Sequence, residues 1–142
     1  MKIPAAITYW DTSAIVSVLF HDDQSTDAMA IANTPATHVM SSLAWAETHA
    51  VIARIEREGA LANALVEVAR ETLSRGPWRR LTLDPDGTIV ARLARAWPLR
   101  GADLWHLATA KTLQAEIPEL TFFSFDTRLS VAAVGEGFAS PV

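Results

Sequence analysis

The chain has 142 residues, half of them hydrophobic, which suits one ordinary domain with a sizeable core. Twelve Lys and Arg against sixteen Asp and Glu give a net charge of −4, which argues against holding nucleic acid by bulk charge; a phosphate-bearing substrate would need a basic rim or a bound cation. The absence of cysteine excludes disulfides, zinc fingers and thiol catalysis, and no run approaches the ~20 apolar residues of a membrane span.

The start, Met1-Lys2-Ile3-Pro4, reaches Asp11 before a secretory apolar region develops, so a cytoplasmic protein is expected. Ile7 to Trp10 reads as a short apolar strand that runs directly into Asp11 and a helix from Thr12 to Phe20. After the polar break His21-Asp22-Asp23-Gln24, a helix from Ser25 to Ala32 ends at Asn33-Thr34-Pro35, and Thr37 to Met40 can form a second strand. Ser41 and Ser42 offer capping hydroxyls to the longest helix, Leu43 to Glu58, which Gly59 closes. Ala60 to Ser74 makes another helix, ended by Gly76-Pro77. Arg80 to Leu83 is a third strand candidate, followed by the turn Asp84-Pro85-Asp86-Gly87, a helix from Thr88 to Trp97, and a stop at Pro98. A helix from about Asp103 to Ala115 precedes the strand Leu120 to Phe125, and Asp126 then opens a short helix ending at Val134. Phe138 to Ser140 is a candidate final strand.

Short strands, apolar on both faces and alternating with helices, predict one α/β domain over residues 1–142, its mostly parallel sheet covered on both sides. No repeats, low-complexity tracts or linkers interrupt it. In such sheets ligands bind outside the strand C-termini, which brings Asp11 and Asp126 to one crevice if their strands are neighbours.

Four carboxylates stand out, each with a competing structural role. Asp11, Asp103 and Asp126 all stand where an acid favours a helix start, although a capping Asp keeps a second oxygen free. Glu47 shares a helix face with Leu43, Ala50 and Val51, so it needs a cation or a hydrogen-bond partner; a partly exposed pair with Arg54 is the alternative. Together, with ordinary pKa values of about 4, the four would repel at neutral pH, and a divalent cation removes the conflict. An all-oxygen donor set favours magnesium, with manganese able to substitute, over zinc. Metal-dependent phosphodiester hydrolysis by a metal-bound water is the chemistry that follows.

Other candidates are weaker. His21, His38, His49 and His106 appear singly, and Ser13 has no triad partners in view. Trp10, Trp45, Trp97 and Trp105 lie in apolar runs and are assigned to the core, while Arg79, Arg80 and Arg100 are plausible phosphate contacts.

Taken together, Tyr9-Trp10-Asp11-Thr12-Ser13-Ala14, Ser42-Leu43-Ala44-Trp45-Ala46-Glu47, Leu99 to Ala110 around Asp103, and Phe123-Ser124-Phe125-Asp126-Thr127-Arg128-Leu129 resemble the PIN-domain ribonucleases, and within them the VapC toxins of toxin–antitoxin pairs. The resemblance spans nearly the whole chain. It implies a PIN-like three-layer α/β/α domain with a parallel five-stranded sheet, a magnesium or manganese site built from Asp11, Glu47, Asp103 and Asp126, and cleavage of RNA. It further implies a homodimer and a cognate antitoxin covering the active site. Thr12 and Ser124 match as supporting hydroxyls and His106 as a supporting residue, whereas Trp105 is bulkier than the residue expected beside Asp103.

Two other readings compete. One is a non-catalytic interaction domain that binds a basic partner segment in the acidic crevice. The other, phosphoryl transfer through an aspartyl intermediate on Asp11, lacks the second Asp that its signature requires, because Ser13 stands there.

Overall fold

Four short strands, Ile7–Trp10 (β1), Thr37–Ser41 (β2), Trp78–Leu81 (β3) and Thr121–Phe123 (β4), pair side by side in the computed structural model, which describes residues 6–141. Every pairing is parallel and the order across the sheet is β3-β2-β1-β4. Successive strand residues point to opposite faces. In register, Val39, Tyr9 and Phe122 therefore form a row on one face, and Met40, Trp10 and Phe123 a row on the other. Both rows are buried, as expected of a parallel sheet covered on both sides.

Helices Thr12–Leu19 (α1), Ser25–Ala32 (α2), Ser42–Glu58 (α3) and Asn63–Arg75 (α4) pack over the Trp10 row through Ala14, Ile15, Ala28, Ile52, Val66 and Leu73. Helices Gly87–Ala96 (α5), Gly101–Gln114 (α6) and Thr127–Gly135 (α7) cover the Tyr9 row through Leu93, Leu107, Leu129 and Ala132. The three-layer α/β/α arrangement expected from the sequence is present. Tyr9 stacks on Phe122 at 5.4 Å, and Trp10 meets Phe123 edge-on at 4.7 Å and Trp78 at 5.5 Å. Burying side chains of this size contributes roughly 1.5–3 kcal/mol each, so the aromatic rows are a principal source of stability. Among the described residues no helix is long and apolar enough to cross a membrane.

Several boundaries shift from the sequence expectation, β4 among them at Thr121–Phe123 rather than Leu120 to Phe125, and four of the differences have a visible cause. The fifth strand shrinks to a single bridge between Ala139 and Thr121: Phe138 inserts into the core, Ala139 accepts the Phe122 amide at 2.9 Å, and Pro141 has no N–H with which to extend the pairing. β3 lies two residues earlier than expected, because Trp78 is the side chain that reaches Trp10, and Arg79 and Arg80 face solvent. α4 begins at Asn63 rather than Ala60, since Gly59 ends α3 in the left-handed conformation and the next residues turn the chain. α6 begins at Gly101, so Asp103 sits inside its first turn and does not cap it. The expectations for Met1 to Pro4 and for the domain's extreme ends lie outside the described residues.

Candidate active site

The sheet order reverses direction at β1, with β2 on one side and β4 on the other, and a crevice opens outside the strand C-termini at such a point. Asp11 follows β1 there. Its amide donates to the Phe123 carbonyl at 3.1 Å, which ties the two strand ends together. The carboxylate is only 3% exposed. Oδ1 accepts from the Ser13 hydroxyl at 2.7 Å and the Ala14 amide at 3.0 Å, capping α1, and Oδ2 accepts from Ser124 at 2.6 Å. Burial pushes the Asp11 pKa up, while the bonds from Ser124, Ser13 and Ala14 pull against that rise.

Ser124 also receives the Asp126 amide at 3.0 Å, so one hydroxyl links two of the acids. Asp126 caps α7 by accepting the Leu129 amide on Oδ1 at 2.9 Å, and its Oδ2 carries no hydrogen bond among the described residues. The capping reading and the site reading are therefore both satisfied by one side chain.

Glu47 lies on α3, and its partner is not Arg54, which pairs with Glu58 in an exposed contact at 4.0 Å. Instead Oε1 accepts from the Thr12 hydroxyl at 2.8 Å and lies 2.7 Å from His106 Nε2. The contact to His106 is the main cause that holds the Glu47 pKa below the ordinary range. The His106 ring is buried, and its Nδ1 lies 3.4 Å from the Ser41 hydroxyl. Ser41 already accepts the Ala44 amide, so its hydrogen is free for Nδ1; Nε2 then carries the proton donated to Glu47. In sequence His106 had looked solitary because its partner lies 59 residues earlier. The resemblance had already implied a supporting role for it, and its position three residues after Asp103 on one helix is the local signal of that role. Ser13, set aside as a triad nucleophile but within the family-like motif after Asp11, donates to Asp11 and receives the Phe125 amide at 3.0 Å.

Asp103 makes no hydrogen bond among the described residues. Burial raises its pKa most, followed by repulsion from Asp126, and Glu47 adds to the rise. That mutual repulsion joins Asp103, Asp126 and Glu47 in one electrostatic group. Asp103 and Asp126 also line a common cleft of about 350 Å³ with Pro98, Arg100, Thr127 and Arg128. Arg100 and Arg128 form no ion pair within 4 Å among the described residues, so both are available to an anion.

No three His, Asp or Glu side chains among the described residues close into a ready-made metal cage. The donor set nevertheless fits a hard divalent cation. All four acids retain oxygen lone pairs, the donors are exclusively oxygen, and magnesium commonly takes only one or two carboxylates while keeping its waters. Trp10, Trp45 and Trp97 pack in or against the core as expected, but Trp105 does not: it is 38% exposed beside the site.

Comparison with known proteins agrees with this architecture. The chain superposes on a crystal structure of FitAcB from Neisseria gonorrhoeae with a TM-score of 0.63 and 20% identity, covering 94% of this chain and 95% of that one. PAE2754 from Pyrobaculum aerophilum gives 0.63 and 19% identity over 96% and 92%, and VapBC2 from Rickettsia felis, bound to a DNA fragment from its promoter, gives 0.63 and 11% over 94% and 96%. No curated protein sequence matches the chain. A sequence model of the PIN domain matches residues 8–135, nearly the full length, and the chain belongs to the PIN domain family.

Proposed function

We propose that this PIN domain is a magnesium-dependent endoribonuclease, with manganese able to substitute, acting in the cytoplasm as the toxin of a toxin–antitoxin pair. The observation that supports the reading is the approach of Asp11, Glu47, Asp103 and Asp126 outside the sheet switch point, with an oxygen of Glu47, Asp103 and Asp126 free of hydrogen bonds among the described residues and a lone pair left on Asp11 Oδ2, which accepts one bond. Burial pushes Asp11 and Asp103 toward the neutral form, and repulsion from Asp126 and Glu47 adds to the rise at Asp103, a cost that a bound cation offsets. When bound, a divalent cation supplies a water of lowered pKa and neutralises charge building on the phosphate.

The chain's own residues do the rest. Ser13 and Ser124 fix the Asp11 carboxylate, and Thr12 and His106 fix Glu47, so two of the acids are held before substrate arrives. Asp103 is the least tethered and is free to adjust to the cation. Arg100 and Arg128 line the same cleft as Asp103 and Asp126 and carry the guanidinium donors that suit phosphate oxygens.

Support for an antitoxin partner comes from the VapC-like motifs and from the likeness to VapBC2, which was crystallised with promoter DNA. A homodimer is expected on the same grounds, and sedimentation of the purified chain as a monomer would contradict it. Expression of the wild-type chain should arrest growth, and Asp103→Asn should abolish the arrest while leaving the circular dichroism spectrum unchanged. Arrest that persists with this variant, at equal expression, would count against the nuclease reading and favour a non-catalytic domain that captures a basic segment.

A further inference from the structure

Helix α7 has a task at each end. At its start Asp126, Thr127 and Arg128 line the acidic cleft, together with Pro98 and Arg100 from the segment that joins α5 to α6. The Arg100 charge reaches Asp103, where it works against the rise in pKa. At the far end of α7, Gly135 and Glu136 hold Trp97, the residue from which that segment departs.

The Trp97 indole occupies the space that a side chain at Gly135 would need: a Cβ there would come within 2.2 and 2.5 Å of two ring carbons. Its Nε1–H donates to Glu136 Oε2 at 2.9 Å. Glu136 is fixed in turn. Its Oε1 accepts from Arg92 of α5 at 2.9 Å and lies 3.4 Å from Nζ of Lys111 on α6, which donates to the Glu136 carbonyl at 2.7 Å. The Glu136 side chain is only 10% exposed, so this knot of charges is largely shielded from water. Apolar burial of Trp97 alone would call for neither the acceptor on Glu136 nor the missing side chain at Gly135.

Pro98, Leu99 and Arg100 then lead directly into α6. They have little slack. Proline fixes its own φ, Leu99 packs against the core, and the Leu99 amide donates to the Trp97 carbonyl at 2.9 Å. The Arg100 carbonyl accepts the Leu104 amide at 2.8 Å, so the same short segment sets the first turn of α6, where Asp103 lies.

We propose that Trp97 is a positioning residue for the cleft: docked on Gly135 and bonded to Glu136, it fixes residues 98–100 so that Arg100 meets the substrate phosphate beside Asp103 and Asp126. The inference rests on the nuclease reading and adds to it a residue outside the cleft lining.

The test pairs hydrogen exchange with a double-mutant cycle. Gly135→Ala, which displaces the indole, should speed exchange of the Leu99 and Leu104 amides while sheet amides exchange as in wild type. It should lower kcat/KM for RNA cleavage roughly 10- to 100-fold, the scale of a misplacement of about 1 Å at a reacting group. Arg100→Gln should also lose activity, and the double variant should be no worse than Arg100→Gln, because the displaced ring acts through Arg100. Trp97→Phe keeps a ring over Gly135 and removes only the donor to Glu136; it should lose less, in the same non-additive way, and carries the cycle if Gly135→Ala does not fold. Unchanged exchange at both amides, or losses that multiply in the double variant, would overturn the proposal. A wild type that cuts no RNA would overturn the nuclease reading and the role of Arg100 with it, while faster exchange in the variants would still show the anchor.

Discussion

Asp11 and Asp103 carry the same charge for different reasons. Asp11 is buried but well bonded, whereas Asp103 is partly exposed and has no hydrogen bond among the described residues to offset its acidic neighbours. Both pKa values are raised in the folded protein. For an acid this means that the folded state binds more protons than the unfolded state between the two pKa values, so stability falls as pH rises through that window. The penalty is fully present above the folded pKa and absent below the ordinary Asp range. Asp103→Asn should therefore raise the melting temperature of the metal-free protein at pH 7, by about 1–3 °C given solvent screening, with the gain vanishing near pH 3.5. The same variant should lose most of the stabilisation that manganese gives wild type. A variant that melts below wild type at pH 7, or gains as much from manganese, contradicts the account of Asp103.

At the scale of elements, the strands and helices were largely legible because hydrophobic period and turn residues agree locally. β1 and β2, α3 with its Gly59 stop and α7 behind Asp126 fall close to where the sequence puts them. β3 slipped because its position depends on Trp78 reaching a ring 68 residues away in sequence, a tertiary contact that local pattern does not encode. Ser41 shows how one residue serves both levels. Its hydroxyl accepts the Ala44 amide to cap α3 and sits beside His106 Nδ1, which orients the ring that holds Glu47. Ser41→Ala should cost about 1 kcal/mol, seen as a lower urea midpoint with unchanged slope, and should weaken manganese stabilisation through Glu47. An unchanged midpoint would show that water replaces the cap without loss.

At the scale of the molecule, the sequence carried the fold class and marked four acids as candidates, but not the strand order β3-β2-β1-β4, which sets β4 next to β1. That adjacency lets Ser124 bond Asp11 across 113 residues and joins Asp126 to the same hydroxyl. The pairing of Glu47 with His106 was likewise invisible, since neither residue advertises a partner along the chain. The exposure of Trp105 escaped for a different reason: an apolar run on a helix reads as core whether or not a neighbour covers it.

The central claim is that these four acids form one cation-dependent nuclease site. Its most direct test is cleavage of a mixed RNA pool by purified wild type and Asp11→Asn, each with magnesium, with manganese and with excess chelator. The account predicts cleavage by wild type with either metal, none with chelator, and none by Asp11→Asn under any condition. Cleavage that survives the chelator, or equal cleavage by Asp11→Asn, would contradict it.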